Sequence, residues 1–313
     1  MSSGSSTLTS SPARPDKESA HRLRVNIAAA ISAIFLVGLA IYGADYYALS
    51  VAERPFSPKH ELLRPSGTIG VNLGVLGVVL FCIIFLYAIR KRIPWLARMG
   101  SSKHWMDFHV VAGITAPFVI AFHASFKFRG IAGVGFWIMF SVALSGIVGR
   151  YLYAQIPRSM SAAELSLGEL HESERAMAGT LTIQSRFSAK ELDRLLHVPS
   201  IESVQRMPPA LALLLMIAID LRRPFQIARL RRRVTGWGGW FRSFAGLLST
   251  GDHEVEAIID AARRKSSLSK RIVFLGRTHQ VFHLWHVIHR PFSYTFAVLA
   301  VLHIVVAIGL GFL

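Results

Sequence analysis

A single cysteine, Cys82, stands in the 313 residues, and it lies inside an apolar run. One cysteine cannot close an internal disulfide, ligate an iron–sulfur cluster or supply the Cys-x-x-Cys-His attachment of a c-type haem, so packing is the role left to it. Acidic residues are scarce as well, 18 Asp and Glu against 35 Lys and Arg, for a formal net charge of +17. No His-Glu-x-x-His occurs and no acidic cluster adjoins the histidines, which argues against a hydrolytic metal centre. Nor does any Gly-x-Gly-x-x-Gly follow a strand, and strands do not alternate with helices, so a dinucleotide fold within the chain is not expected. The basic excess does not point to nucleic acid, because most of the cations sit between apolar runs, where they set membrane topology.

Hydrophobic residues are abundant. They make up 52% of the chain, and the mean hydropathy is +0.43. About twenty consecutive apolar residues span a bilayer, and several stretches qualify. An all-α integral membrane protein with a five-helix bundle follows. Residues 1–22, rich in Ser, Thr and Pro, read as a disordered cytoplasmic tail. Residues 23–153 hold four membrane helices, at about 25–49, 69–89, 105–126 and 131–153. The first run follows Arg22 and Arg24 but is long and has no small-residue cleavage site, so it reads as a retained helix and not a signal peptide. Pro55, Pro58 and Pro65 mark a polar connector after it. Arg90, Lys91, Arg92, Arg98 and Lys103, with no acid among them, place the loop before the third helix in the cytoplasm. The amino terminus is then cytoplasmic, the carboxyl terminus lies on the opposite side, and a bacterial-type cytoplasmic membrane is the expected location. Gly133, Gly135, Gly146 and Gly149 thin the fourth helix, where another backbone or a flat macrocycle needs room.

Residues 154–278 read as a basic, helical cytoplasmic insertion between the fourth and fifth helices. Ser188 is a plausible N-cap within it. Pro208 and Pro209 precede an apolar run, 210–219, that is too short to cross a bilayer and reads as a helix buried in the insertion or lying on the membrane surface. Arg229 to Arg233, with Trp237, Trp240 and Phe241, suit an anionic lipid face. Residues 279–313 form a His-rich interfacial segment and the fifth membrane helix, which starts between His279 and Pro291.

The histidines carry the chemistry. Trp105, His109 and His123 repeat the spacing of Trp285, His289 and His303: four positions from Trp to the first His, fourteen between the histidines. On a helix, fourteen residues set two side chains about 21 Å apart and within about 40° of one face. Two such helices, the third and fifth, run parallel in this topology and present two stacked imidazole pairs. That is an arrangement for two non-covalent b haems stacked between helices 3 and 5, each with one axial histidine per helix. An ionisable residue inside a bilayer is a functional candidate by default, and four in two matched pairs strengthen the case. Lys127, Arg129, Arg150 and Arg290 are candidate partners for haem propionates, although such terminal cations more often snorkel to the interface. His104, His279, His283 and His286 do not keep the spacing. They are left to meet propionates, exchange protons with a quinol, contact water or bind a transition metal.

The paired pattern resembles the dihaem cytochrome b superfamily, including the membrane domain of ferric-reductase-like proteins and the cytochrome b of quinol-oxidising complexes. The likeness covers mainly residues 105–153 and 279–313. It implies His109 with His289 on one haem and His123 with His303 on the other. It further implies transmembrane electron transfer between a quinol or quinone pool, or a redox protein, and a partner redox subunit. The sequence lacks the flavin and nicotinamide module that ferric reductases append, so electrons are expected to enter or leave through another protein or a membrane quinol. A membrane anchor, or a transition-metal-binding protein without haem, is the alternative.

Overall fold

The computed structural model describes residues 17–90, 92–156, 198–242 and 253–311. Its elements are α-helical: α1 (Lys17–Tyr47), a 3-10 turn (Arg54–Phe56), α2 (His60–Leu63), α3 (Thr68–Arg90), α4 (Pro94–Ala97), α5 (Ser102–His123), α6 (Gly130–Gln155), α7 (Ile201–Arg206), α8 (Pro209–Arg242) and α9 (His253–Gly309). Among the described residues, five helices are long and apolar enough to cross a membrane. They correspond to the five expected from hydropathy, and the protein is an all-α integral membrane protein. The proposed N-cap at Ser188 lies outside the described residues, as does most of the amino-terminal tail.

Boundaries differ from the sequence expectation at three places. α1 begins at Lys17, ahead of the start expected near residue 25, so its first turns carry His21, Arg22 and Arg24. The 210–219 run does not stop at Asp220; α8 continues through Arg222, Arg223 and Pro224 to Arg242. The fifth membrane helix does not start between His279 and Pro291, but is the end of the 57-residue α9. A helix of that length measures about 86 Å against roughly 30 Å of hydrocarbon, so only its last third is needed to cross. Pro291 lies inside it. Ser293 Oγ donates to the His289 carbonyl at 2.7 Å and Thr295 Oγ1 to the Pro291 carbonyl at 3.1 Å, the kind of local repair that lets a membrane helix carry a proline.

The chain divides into two compact units, one comprising residues up to Ile147 with His289–Leu313, the other Val148–Ile288. In the first, Leu39, Leu73, Val119 and Phe122 join α1, α3 and α5. Ala116, Ala121, Phe136 and Met139 form a second core, with Leu80, Ile84 and Phe296 against it. Two buried arginines fasten the ends of α5. Arg90 donates to Ser102 Oγ and to the carbonyls of Ala97 and Gly100, and its guanidinium lies over Trp105 at 5.5 Å. Ser101 caps the helix by accepting from the His104 N–H. At the other end Arg54 donates to the carbonyls of Ser125, Tyr47 and Leu49, while Ser125 Oγ donates to the Leu63 carbonyl. Ser125 and Phe126 take positive φ there, which turns the chain sharply just beyond His123.

The second unit packs α7, α8, the end of α6 and the first part of α9 around Leu152, Val204, Ala212, Met216 and Phe274. The 210–219 run thus buries one face of its helix, through Ala212 and Met216, and leaves Leu211 and Leu214 exposed. Beside this core, Asp220 accepts from Lys270 Nζ at 2.5 Å and from Tyr151 Oη at 2.6 Å. Lys270 is only 2% exposed. Arg223 donates to the carbonyl and hydroxyl of Ser266, and burial lowers its pKa from the ordinary value.

Candidate functional site: paired membrane histidines

All four histidines of the repeated spacing belong to the first unit. Three of them have rings fixed by neighbouring helices. His123, in the last turn of α5, sets Nδ1 2.8 Å from the Gly70 carbonyl of α3. A carbonyl oxygen only accepts, so Nδ1 carries the proton and Nε2 is the lone-pair nitrogen. His109 repeats this about four α3 turns away, with Nδ1 3.0 Å from the Ile84 carbonyl. His289 Nδ1 lies 2.8 Å from Ser145 Oγ, whose own proton goes to the Val142 carbonyl at 2.8 Å. The hydroxyl must therefore accept from His289, which again leaves the lone pair on Nε2. Three histidines on two helices hold one tautomer by three different contacts.

His303 stands exposed on α9 among Val301, Leu302, Val305 and Val306, all of them exposed apolar residues. Its ring faces that of His123, with centroids 6.4 Å apart and planes at 76°. The structure thus brings together His123 and His303, which the resemblance assigns to one haem. A Cβ on Gly74 would lie 2.8 Å from His123 Cε1, so only glycine leaves that ring its place.

α3 also fixes the relative sense of α5 and α9. It runs antiparallel to α5, since Gly70 meets His123 and Ile84 meets His109. It runs antiparallel to α9 too: Gly74 is beside the His123–His303 pair, and Phe81 packs edge-on to Phe296 at 5.9 Å. α5 and α9 are therefore parallel in this unit. Seven residues separate Gly74 from Phe81 and seven separate Phe296 from His303. Tyr87, one α3 turn beyond Ile84, packs its ring 5.2 Å from that of His109. His109 and His289 each stand fourteen residues along their own helix from His123 and His303, roughly 21 Å.

The other nominated residues fall elsewhere. Lys127, Arg129 and Arg290 are exposed, the first two in the turn between α5 and α6 and the third beside His289. Arg150 is half-buried in the second unit. His104 stacks on His21 at 3.6 Å, and His21 Nε2 pairs with Asp107 at 3.1 Å; this cluster joins α1 to α5. His279 and His283 are exposed, while His286 donates through Nδ1 to the Phe282 carbonyl and packs edge-on to Trp285. Among the described residues no three His, Cys, Asp or Glu side chains converge for a metal ion. The two tryptophans of the repeat serve their own units. Trp105 Nε1 donates to the Met99 carbonyl at 2.6 Å, and Trp285 stacks on Phe282 and covers Gly149, where a Cβ would collide with the indole.

No family model, curated protein or solved structure matches this chain. Its function is therefore argued from the histidines themselves. Gly70, Gly74, Ile84 and Ser145, which orient them, escaped the sequence reading. Gly70 and Gly74 did carry a signal, a small-x-x-x-small spacing in an apolar helix.

Proposed function

We propose that the protein is a b-type dihaem cytochrome that carries electrons across the membrane, in which His123 and His303 would hold one haem and His109 and His289 the other. The observation that carries this reading is the geometry of His123 and His303. Two imidazoles bound end-on to one metal at about 2.0 Å per bond hold their ring centres roughly 6 Å apart, close to the spacing seen here. The residues fit such a group in a second respect: Nδ1 of His123 gives its proton to a backbone carbonyl, which orients the ring and raises the basicity of Nε2.

A haem held by two of these imidazoles would supply one-electron transfer chemistry in preference to oxygen chemistry. The chain's own residues prepare that environment. Gly70, Ile84 and Ser145 fix the tautomers, and Gly74 leaves the His123 ring its room. Electrons enter from, and leave to, a membrane quinol or a partner redox protein.

Haem content per polypeptide, with reduced-minus-oxidised spectra, tests the reading on purified wild type and on His109→Ala, His123→Ala, His289→Ala and His303→Ala. Two b haems in the wild type are expected, with the His109 and His289 variants losing one and the His123 and His303 variants losing the other. Folded protein that binds no haem after growth with excess haem precursor would overturn it.

A further inference from the structure

α8 buries one face and leaves the other uncovered. Ala212, Met216, Arg223 and Ile227 point into the second unit. Around the other side, Leu211, Leu214, Leu221 and Phe225 are 51, 63, 64 and 73% exposed, and Arg222 and Arg229 are exposed with them. At 100° per residue these six fall within about 100° of the helix circumference, and no acid shares that arc. Large apolar side chains with arginines beside them are not a solvated face.

We propose that this face of α8 lies in the headgroup layer of an anionic bilayer, with Leu211, Leu214, Leu221 and Phe225 entering the acyl boundary and Arg222 and Arg229 meeting lipid phosphates. α8 is not among the helices able to cross a membrane, since its apolar stretch ends at Asp220 and the arginines follow. A helix that is apolar and basic on one face, and too short in its apolar part to span, binds in the interface plane. The chain supplies proximity: α6 and α9, which carry the second unit, both contain membrane-crossing segments, so α8 is tethered to a membrane and its binding is effectively intramolecular. The face is complementary in charge to an anionic leaflet and in polarity to its acyl edge. It shifts the lipid contact from the tryptophans after Arg233 to the middle of α8, and it does not depend on haem.

The test uses the full chain in lipid nanodiscs. In a Cys82→Ser background, an environment-sensitive fluorophore is attached at Phe225→Cys, with Glu202→Cys, on exposed α7, as the aqueous control. In discs containing phosphatidylglycerol the label at 225 is expected to emit to the blue of the control and to be quenched by lipid-borne nitroxide, with no loss of thermal stability. Each arginine near an anionic surface contributes about 1 kcal/mol, or roughly fivefold. Arg222→Gln with Arg229→Gln should therefore lower the equilibrium constant for lipid contact on the order of 25-fold, as should replacing phosphatidylglycerol by phosphatidylcholine. A label that stays aqueous in anionic discs would overturn the proposal. So would shielding that is equal in neutral and anionic discs, and so would shielding in detergent that grows with protein concentration, which would assign the face to a second copy of the chain.

Discussion

His123 donates its Nδ1 proton to the Gly70 carbonyl at 2.8 Å, and the adjoining turn of α3 presents Gly74 to the same ring. One helix therefore both orients the imidazole and makes room for it. Gly74→Val places a branched side chain against His123 Cε1 and tilts the ring off its axis toward His303. The expected outcome is loss of one haem of two, with the His109–His289 spectrum intact. Disturbing the support of a metal-binding histidine typically costs about 10–100-fold in affinity, so the defect should be relieved in part by excess haem during growth. Haem titration followed by difference spectroscopy reads both effects.

Ser145 provides the matching test at the other level. Its hydroxyl accepts from His289 while donating to Val142, so Ser145→Ala leaves the Nδ1–H of His289 without that acceptor. The helix should keep its fold, because only one oxygen is lost. On the proposed pairing, the haem assigned to His289 is expected to bind about 10–100-fold more weakly and to shift in midpoint potential, while the one assigned to His123 and His303 keeps its own. Redox titration resolving two components checks this; equal shifts in both would count against Ser145 as the partner of a single ligand.

The second unit rests on a buried ion pair. Lys270, nearly inaccessible, meets Asp220 at 2.5 Å, and Tyr151 donates to the same carboxylate oxygen. Lys270→Met removes the shorter of the two cationic contacts of Asp220, leaving Arg223 Nη1 at 3.6 Å and the Tyr151 hydroxyl, and should destabilise the unit by about 1–3 kcal/mol. Adding Asp220→Leu takes the acceptor from Tyr151 and Arg223 as well, so the double variant should not recover the loss. Limited proteolysis at rising temperature, read within Val148–Ile288, checks both variants.

That ion pair also explains what the sequence hid. The buried stripe of α9 runs Ile259, Ala262, Ser266, Lys270, Phe274 and Thr278, a helical spacing in which three of six positions are polar. Hydropathy sees no core face there, because the stripe is satisfied from α8: Arg223 on Ser266, Asp220 on Lys270, Met216 beside Thr278. The early start of α9 and the length of α8 became visible only once the two helices met. The membrane helices were legible because a bilayer demands long apolar runs, with Arg90 and its neighbours ending one of them. The repeat of one spacing singled out four histidines, of which the structure brings His123 and His303 together. The supports of His109, His123 and His289 were not legible, since two are backbone carbonyls, which any residue can offer, and the third is one serine in an apolar helix.

Arg54 is the last group whose loss should reach the site from a distance. It is buried in the connector after α1 and donates to the carbonyls of Tyr47, Leu49 and Ser125, the last two residues beyond His123. No other residue type presents a planar fork to three carbonyls at once, so Arg54→Lys is not conservative. Each carbonyl left without a donor costs about 1–3 kcal/mol, and Lys can satisfy only part of the set. The turn at Ser125 and Phe126, already in positive φ, should loosen first and release the end of α5. Arg54→Lys is thus expected to lower the thermal midpoint and to weaken the His123–His303 haem selectively, and Arg54→Met to do both more severely. Measured together, melting and haem stoichiometry decide the matter: a fall in stability with both haems lost in parallel would make Arg54 a general brace, whereas loss of only the haem assigned to His123 and His303 would make it the clasp that sets His123.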